Sequence, residues 1–311
     1  MKPGIVLDDF LSSYSFDYHP FNKERYLVFR REFFKKNLEK GFEVIAGRQA
    51  KEEELLLFHT PSYLDFVKRK EKEGGFLDLG DTPVFKGIFV ASSRVVGATL
   101  NAMDEAFLKE RIVFSPLGGL HHAFPERAAG FCVFNDICIG INYLRKKYKV
   151  KHILYLDLDA HHGDGVYYSF IQDPYLYIVD FHQRGIFPGT GETFEKGEGN
   201  AYGTKLNLCF EEGADDFDFK KGLEEAKDFL KDKKIEFVIF QAGCDSLAGD
   251  PLTSLNFTYH SHIEAVQFLK DLARRNCQGR LVILGGGGYN LDNIKTAWIK
   301  IAEEIVDEQG V

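Results

Sequence analysis

The chain has 311 residues, 44% of them hydrophobic and 28% charged, with a formal net charge of −8. Those are globular proportions, sufficient for one large α/β domain or two ordinary ones, and Lys and Arg are scattered, which argues against a nucleic-acid or anionic-membrane partner. No stretch approaches the roughly 20 apolar residues of a membrane span, and the five cysteines contain no C-x-x-C pair, so neither a thiolate zinc site nor a disulfide framework is indicated.

The first residues, "MKPGIVLDDFLSS", lack the apolar core of a signal peptide because Asp8 and Asp9 interrupt it. A cytoplasmic protein is the expectation. Further along, short runs rich in Val, Ile and Leu alternate with longer amphipathic stretches. In chain order these predict a strand at 111–116 ("RIVFSP"), a helix at 134–148, strands at 152–159 ("HILYLDLD") and 176–182 ("LYIVDFH"), and a helix at 219–233. A strand at 237–243 ("FVIFQAG"), a helix at 259–275 and a strand at 281–287 ("LVILGGG") complete the pattern. Continuous apolar strands alternating with helices mean a parallel sheet covered on both faces. No repeat, low-complexity stretch or Pro- or Ser-rich linker divides the chain, so one domain over 1–311 is expected.

Ligands of such a sheet sit beyond the carboxyl ends of its strands. Four strands are followed at once by polar, glycine-rich segments: "SPLGGLHHAFPE", "DLDAHHGD", "QAGCDSLAGDP" and "GGGGYN". One rim of the sheet therefore gathers a chemical site.

Asp159 and His161 stand two apart at the end of their strand, a spacing that points extended residues to the same side. Carboxylate and imidazole are ordinary zinc ligands, and a catalytic zinc takes a third ligand and leaves a position open. Asp245, just past another strand and close to glycines, is the best third candidate. A single Asp or His would read as a helix cap or a packed polar group. Several buried carboxylates together are too costly without a cation.

His121 and His122, between Gly119 and Pro125, suit a loop that aims both rings at a neighbouring site, for ligation or for proton transfer. A histidine in that role needs an acceptor on its other nitrogen, and Asp157 and Asp164 are available acids. The glycine run at 285–288 fits neither G-x-G-x-x-G, since position 290 is Asn290, nor a P-loop. It lets backbone crowd the site and presents Tyr289, whose phenol is able to support a developing oxyanion or to act as a rim aromatic. Phe131 and Phe187, each beside glycine, are either two walls of an apolar channel or core aromatics in turns.

The segments "GGLHHAFPERAAGFCVFND", "LDLDAHHGDGV", "IFPGTGE", "QAGCDSLAGDP" and "LGGGGYN" resemble, in order, the signatures of the zinc-dependent histone deacetylase superfamily, and the first looks most like the bacterial acetoin-utilisation-type deacetylases. "YHPFNKERY" (18–26) is similar to that family's N-terminal His-Pro…Arg motif. The resemblance implies the arginase/deacetylase fold, a central parallel sheet of about eight strands with helices on both faces. It implies one Zn²⁺ on Asp159, His161 and Asp245. It makes His122 the base for water and His121 its electrostatic support, with Asp157 and Asp164 behind them, and gives Tyr289 the acyl carbonyl. Phe131 and Phe187 would wall the tunnel, with Gly130 lending backbone, and Asp81 aligns with the family's rim aspartate.

The implied reaction frees an amine and a carboxylate, usually acetate, from an acyl-lysine of a protein or peptide; a small acylated amine such as an acetylpolyamine is the alternative substrate. Leu252 stands where polyamine deacetylases resemble one another in carrying Glu, which favours acyl-lysine. Asp180 stands where a hydroxyl residue usually helps hold a structural K⁺, a departure that bears on that ion, and the shorter loop to Phe187 is expected to widen the pocket mouth for longer acyl groups. An arginase-like site would need a second metal and further acids near Asp245. A mere binding module would have no use for His121, His122 and Tyr289 together.

Overall fold

Runs of branched apolar residues form the centre of the sheet because both of its faces are covered. The computed structural model describes residues 2–306; Met1 and 307–311, the ends of the expected 1–311 domain, lie outside the described residues. The strands are β1 (Gly4–Val6), β2 (Glu43–Ile45), β3 (Ile112–Ser115), β4 (Ile153–Asp157), β5 (Leu176–Gln183), β6 (Lys205–Phe210), β7 (Phe237–Gln241) and β8 (Leu281–Leu284). They form one eight-stranded sheet in the order β2-β1-β3-β8-β7-β4-β5-β6, and every pair is parallel. All residues of β4, β5, β7 and β8 are buried.

The helices are α1 (Glu24–Lys35), α2 (Glu52–Leu55), α3 (Pro61–Glu73), α4 (Ile88–Leu108), α5 (Asp136–Tyr148), α6 (Asp164–Ser169), α7 (Asp216–Leu230), α8 (Tyr259–Cys277) and α9 (Leu291–Val306). Helices α7, α8, α9 and α1 pack side by side in one group, and α3, α4 and α5 in another. Capping fixes several starts: Asn135 accepts from Cys138 N to begin α5, Asp215 closes a capping box on α7, and Thr258 accepts from His260 N at α8. The α/β parallel fold expected from the sequence is the one found.

Three of the predicted strands, those at 152–159, 237–243 and 281–287, run well past their true carboxyl ends. β4 stops at Asp157, β7 at Gln241 and β8 at Leu284. Single bonds carry the ladder one residue further, Leu158 N to Gln241 O at 2.9 Å and Ala242 N to Leu284 O at 2.8 Å. Beyond them the chain turns, and the N–H groups of Asp159, Ala160 and Gly287 go to the carboxylates of Asp157, Asp245 and Asp159.

Candidate metal centre and active site

Asp159 and His161 lie past the end of β4, so they do not converge through strand alternation as expected. A turn brings them together: His161 N donates to Asp159 Oδ1 at 3.1 Å, and His161 Nδ1 lies 3.1 Å from that same oxygen. Asp245, from the segment after β7, places its Oδ2 a further 3.1 Å from His161 Nδ1. One ligand atom from each of the three residues lies within 4.8 Å of the others, and all three residues are buried.

The remaining carboxylate oxygens are fixed by protein donors. Asp159 Oδ2 accepts from Gln241 Nε2 and from Gly287 N, both at 2.8 Å, and Asp245 Oδ1 accepts from Ala160 N at 2.8 Å. Burial and the neighbouring Asp159 push Asp245 up to about 7. At His161 burial opposes the charged ring, but Asp159 and Asp245 outweigh it and raise its pKa to about 10. In protein alone this cluster must hold protons where its charge asks for a cation. Two carboxylates and an imidazole, converging and buried, fit a divalent metal.

Gly287 explains how backbone reaches so close. A Cβ there would lie 2.4 Å from Asp245 Oδ2 and 2.6 Å from Asp159 Oδ2. The close approach expected of the glycine run is therefore present at this residue.

His121 and His122 occupy the loop after β3 and are both buried. Their Nε2 atoms are 3.0 Å apart. Each Nδ1 meets its own acid at 2.7 Å, His121 with Asp157 Oδ2 and His122 with Asp164 Oδ1. A ring nitrogen facing a carboxylate carries the proton. What lies between the two Nε2 atoms is then a single proton. Burial opposes charge on His121, but Asp157 and Asp159 outweigh it and raise its pKa to about 10. Burial and the charged His121 push His122 down to about 4. The proton belongs to His121, and His122 is the neutral ring.

Above the histidines is a narrow cavity of about 220 Å³. His122, His161 and Tyr289 line its inner end, and Asp81, Gly130, Phe131, Phe187 and Leu252 also line it. Every residue expected to touch substrate thus borders one space. Gly130 has φ +52°, and a Cβ there would come within 2.5 Å of His122 Cδ2 and 2.9 Å of Phe187 Cε1, so only glycine leaves the passage open. Phe187 meets the His122 ring edge-on at 5.0 Å, and Phe131 meets Tyr289 at 5.7 Å. Burial, with Asp245 and Asp159 beside it, pushes the Tyr289 phenol well up, which keeps it a hydrogen-bond donor.

A family model described as "Histone deacetylase domain" matches residues 19–305. The chain belongs to the histone deacetylase family. It is 36% identical over 296 residues to the acetoin utilization protein AcuC of Bacillus subtilis (strain 168), covering 91% of this chain and 76% of that protein. Against AcuC of Staphylococcus aureus (strain MRSA252) the identity is 34% over 321 residues, with 99% and 82% covered. Against AcuC of Staphylococcus xylosus it is 32% over 320 residues, with 98% and 83% covered. This histone deacetylase family member is thus a deacetylase, a hydrolase of amides, and its similarity is to AcuC proteins. Among the described residues no helix is long and apolar enough to cross a membrane.

Several residues that hold this deacetylase site together were not singled out from sequence. Gln241 clamps Asp159 and accepts from Gly243 N at 2.7 Å. Asp250 accepts from Tyr289 N at 2.7 Å and from Asn290 N at 3.2 Å, which fixes the tyrosine turn. Asp136 accepts from Leu120 N at 2.7 Å, and Asn135 Nδ2 donates to Ala123 O at 2.9 Å, so the start of α5 holds the histidine loop. Buried Arg25, the arginine of the motif quoted at 18–26, adds to them by donating to Gly286 O and Gly288 O at 2.5 and 2.7 Å. Polar residues at the last position of an apolar strand, or just inside a quoted motif, were the available signal.

Asp180 is occupied by protein donors. Its Oδ1 pairs with His182 Nδ1 at 2.7 Å, and its Oδ2 accepts from Gly163 N at 2.9 Å. His182 Nε2 faces Gly191 O at 2.8 Å. Both ring nitrogens face acceptors, so His182 is a buried imidazolium. Burial opposes that charge, but Asp180 outweighs it and raises the pKa to about 10.

Proposed function

We propose that the chain works as one catalytic domain, a zinc-dependent deacylase that removes acetyl groups from acyl-lysine side chains of proteins or peptides. The supporting observation is the shared cavity. A buried Asp-His-Asp cluster, a neutral histidine and a phenol meet at the inner end of a passage narrowed by Phe131, Phe187 and Gly130. An alkyl stem ending in an amide suits such a passage. When bound, zinc supplies Lewis acidity, making water more acidic and polarising a carbonyl.

The chain's own groups divide the remaining work. Asp164 keeps the His122 proton on Nδ1, so Nε2 is the unprotonated nitrogen that takes a proton from water, while His121, kept charged by Asp157, supplies positive charge and returns a proton to the leaving amine. Tyr289 donates to the carbonyl oxygen as negative charge develops there. Leu252, 40% exposed at the mouth, offers a cationic polyamine no carboxylate, which favours acyl-lysine. Asp81 is the proposed contact for substrate backbone at the rim. Asp180 is already neutralised by His182, so the reading includes no structural K⁺ there.

The test is a panel of acetyl-lysine peptides, longer acyl-lysine peptides and acetylpolyamines, each with zinc and with chelator. Acetyl-lysine peptides should be hydrolysed fastest, and chelator should stop the reaction. Faster turnover of acetylpolyamines, or full activity in chelator, would refute the proposal.

A further inference from the structure

Beside the tunnel runs a second depression of about 1020 Å³, more than four times the tunnel's volume. The two share Asp81, Gly130 and Phe187, so they adjoin at the tunnel mouth. The far part of the depression is built from α3 and the loop after it, and from the loop that follows the paired histidines.

Its floor and walls are apolar. Phe66 and Phe124 line it, and Phe76 and Leu79 stand at 47% and 110% exposure, beside Phe187 at 44%. Single exposed apolar residues are ordinary, but several gathered in one hollow at a catalytic mouth mark a binding surface.

Two cations and three carboxylates line the depression, and two of those acids, Asp78 and Asp164, are engaged by protein donors. Lys70 and Arg127 line the groove, and neither side chain has an ion-pair or hydrogen-bond partner among the described residues. Nearby cations are occupied: Lys68 pairs with Glu52, and Arg69 with Glu73. Of the lining acids, Asp78 is taken up by the N–H groups of Gly80, Asp81 and Thr82 and by the Thr82 hydroxyl. Asp164 is bound to His122 and Gly165 N. The guanidinium of Arg127 lies 4.0 Å over the Phe124 ring with its donors unused. Asp81 is the free carboxylate, and it sits at the tunnel end.

We propose that this groove receives the peptide flanking the acyl-lysine, and that it selects a segment carrying an apolar side chain together with Asp or Glu. The inference rests on the deacylase reading. At about 3.3–3.6 Å per extended residue, positions within about three residues of the acyl-lysine reach some 10 Å along the hollow. There an acidic side chain meets Lys70 and Arg127 while its apolar neighbour covers Phe76 and Leu79.

The experiment compares three acetyl-lysine peptides, with Leu and Glu flanks, with Leu and Lys flanks, and with Gly and Ser flanks. Turnover is measured, and separately the binding of fluorescent versions to the zinc enzyme. The acidic peptide should exceed the basic one by about tenfold in kcat/KM, through KM, and salt should shrink the ratio. A K70E/R127E double variant should reverse the order of the two. Phe76→Ser with Leu79→Ser should remove the advantage of Leu over Gly and Ser flanks. Equal values for acidic and basic peptides, or an order unchanged in the double variant, would overturn the groove assignment and leave the deacylase reading standing. Flank-dependent binding without any turnover would sustain the groove and overturn the deacylase reading.

Discussion

The two histidine–aspartate pairs are made of the same parts and differ in charge. Both hold a 2.7 Å contact between Nδ1 and a carboxylate, and their rings touch at 3.0 Å. Their surroundings separate them. Asp157 ends β4 in the sheet interior, with Asp159 and Asp180 near it, so negative charge accumulates on His121. Asp164 begins the short helix α6, and His122 has two other imidazoles for neighbours, His121 and His161. A proton added to the cluster settles on the side with more acid. Identical residues thus become a charged acid and a neutral base through placement alone.

The bluntest way to break the contrast is to remove what both rings serve. Asp245→Ala should take zinc content to background and activity with it, measured by metal analysis of the purified protein. A protein that keeps its zinc would show that Asp245 is not a ligand.

Next in size is the base. His122→Ala should lower kcat by about 10²–10⁴-fold while zinc stays bound. Tyr289→Phe should cost about 10²–10³-fold, again with metal retained. Near-normal turnover in either variant would remove that side chain from the reaction.

The contrast is sharpened by neutralising each acid in turn and reading the pH–rate profile. Rate should rise on the acid side as His122 loses its proton and fall on the alkaline side as His121 loses its own. Asp157→Asn withdraws the charge that raises His121, so the alkaline limb should move to lower pH. Asp164→Asn withdraws what props up His122, so the acid limb should move to lower pH and the plateau should drop. Coincident profiles for the two variants would mean that the pairs are not distinct. Smallest is Gln241→Leu, which leaves the ligands in place but frees Asp159; zinc affinity should weaken by about 10–100-fold in a chelator competition.

How much of this was legible in the sequence depended on burial. β4, β5, β7 and β8 are buried throughout and mostly apolar because both faces are covered, and each was predicted. Edge strand β6 ("KLNLCF") mixes buried and half-buried residues and carries Lys205 and Asn207, while β2 begins with Glu43 and is largely exposed, so neither stands out as a run. β1 is only three residues long. Site residues were readable where a motif concentrated them, as at 157–164. Gln241 and Asp136 act through hydrogen bonds to groups on other segments of the chain, a relation that no local spacing encodes. The charge states of the paired histidines were also beyond reach, since they depend on which acids end up nearest in space.

Gly287 carries a consequence for how this architecture could lose its chemistry. The floor under the ligand oxygens is peptide, with no room for even one methyl group. A single alanine there would press its methyl group on Asp245 Oδ2 and Asp159 Oδ2 and displace them, while every motif residue, both paired histidines and the tyrosine survived. A relative disarmed in that way would still display each hallmark of a working enzyme, so an inventory of motifs would pass it as active.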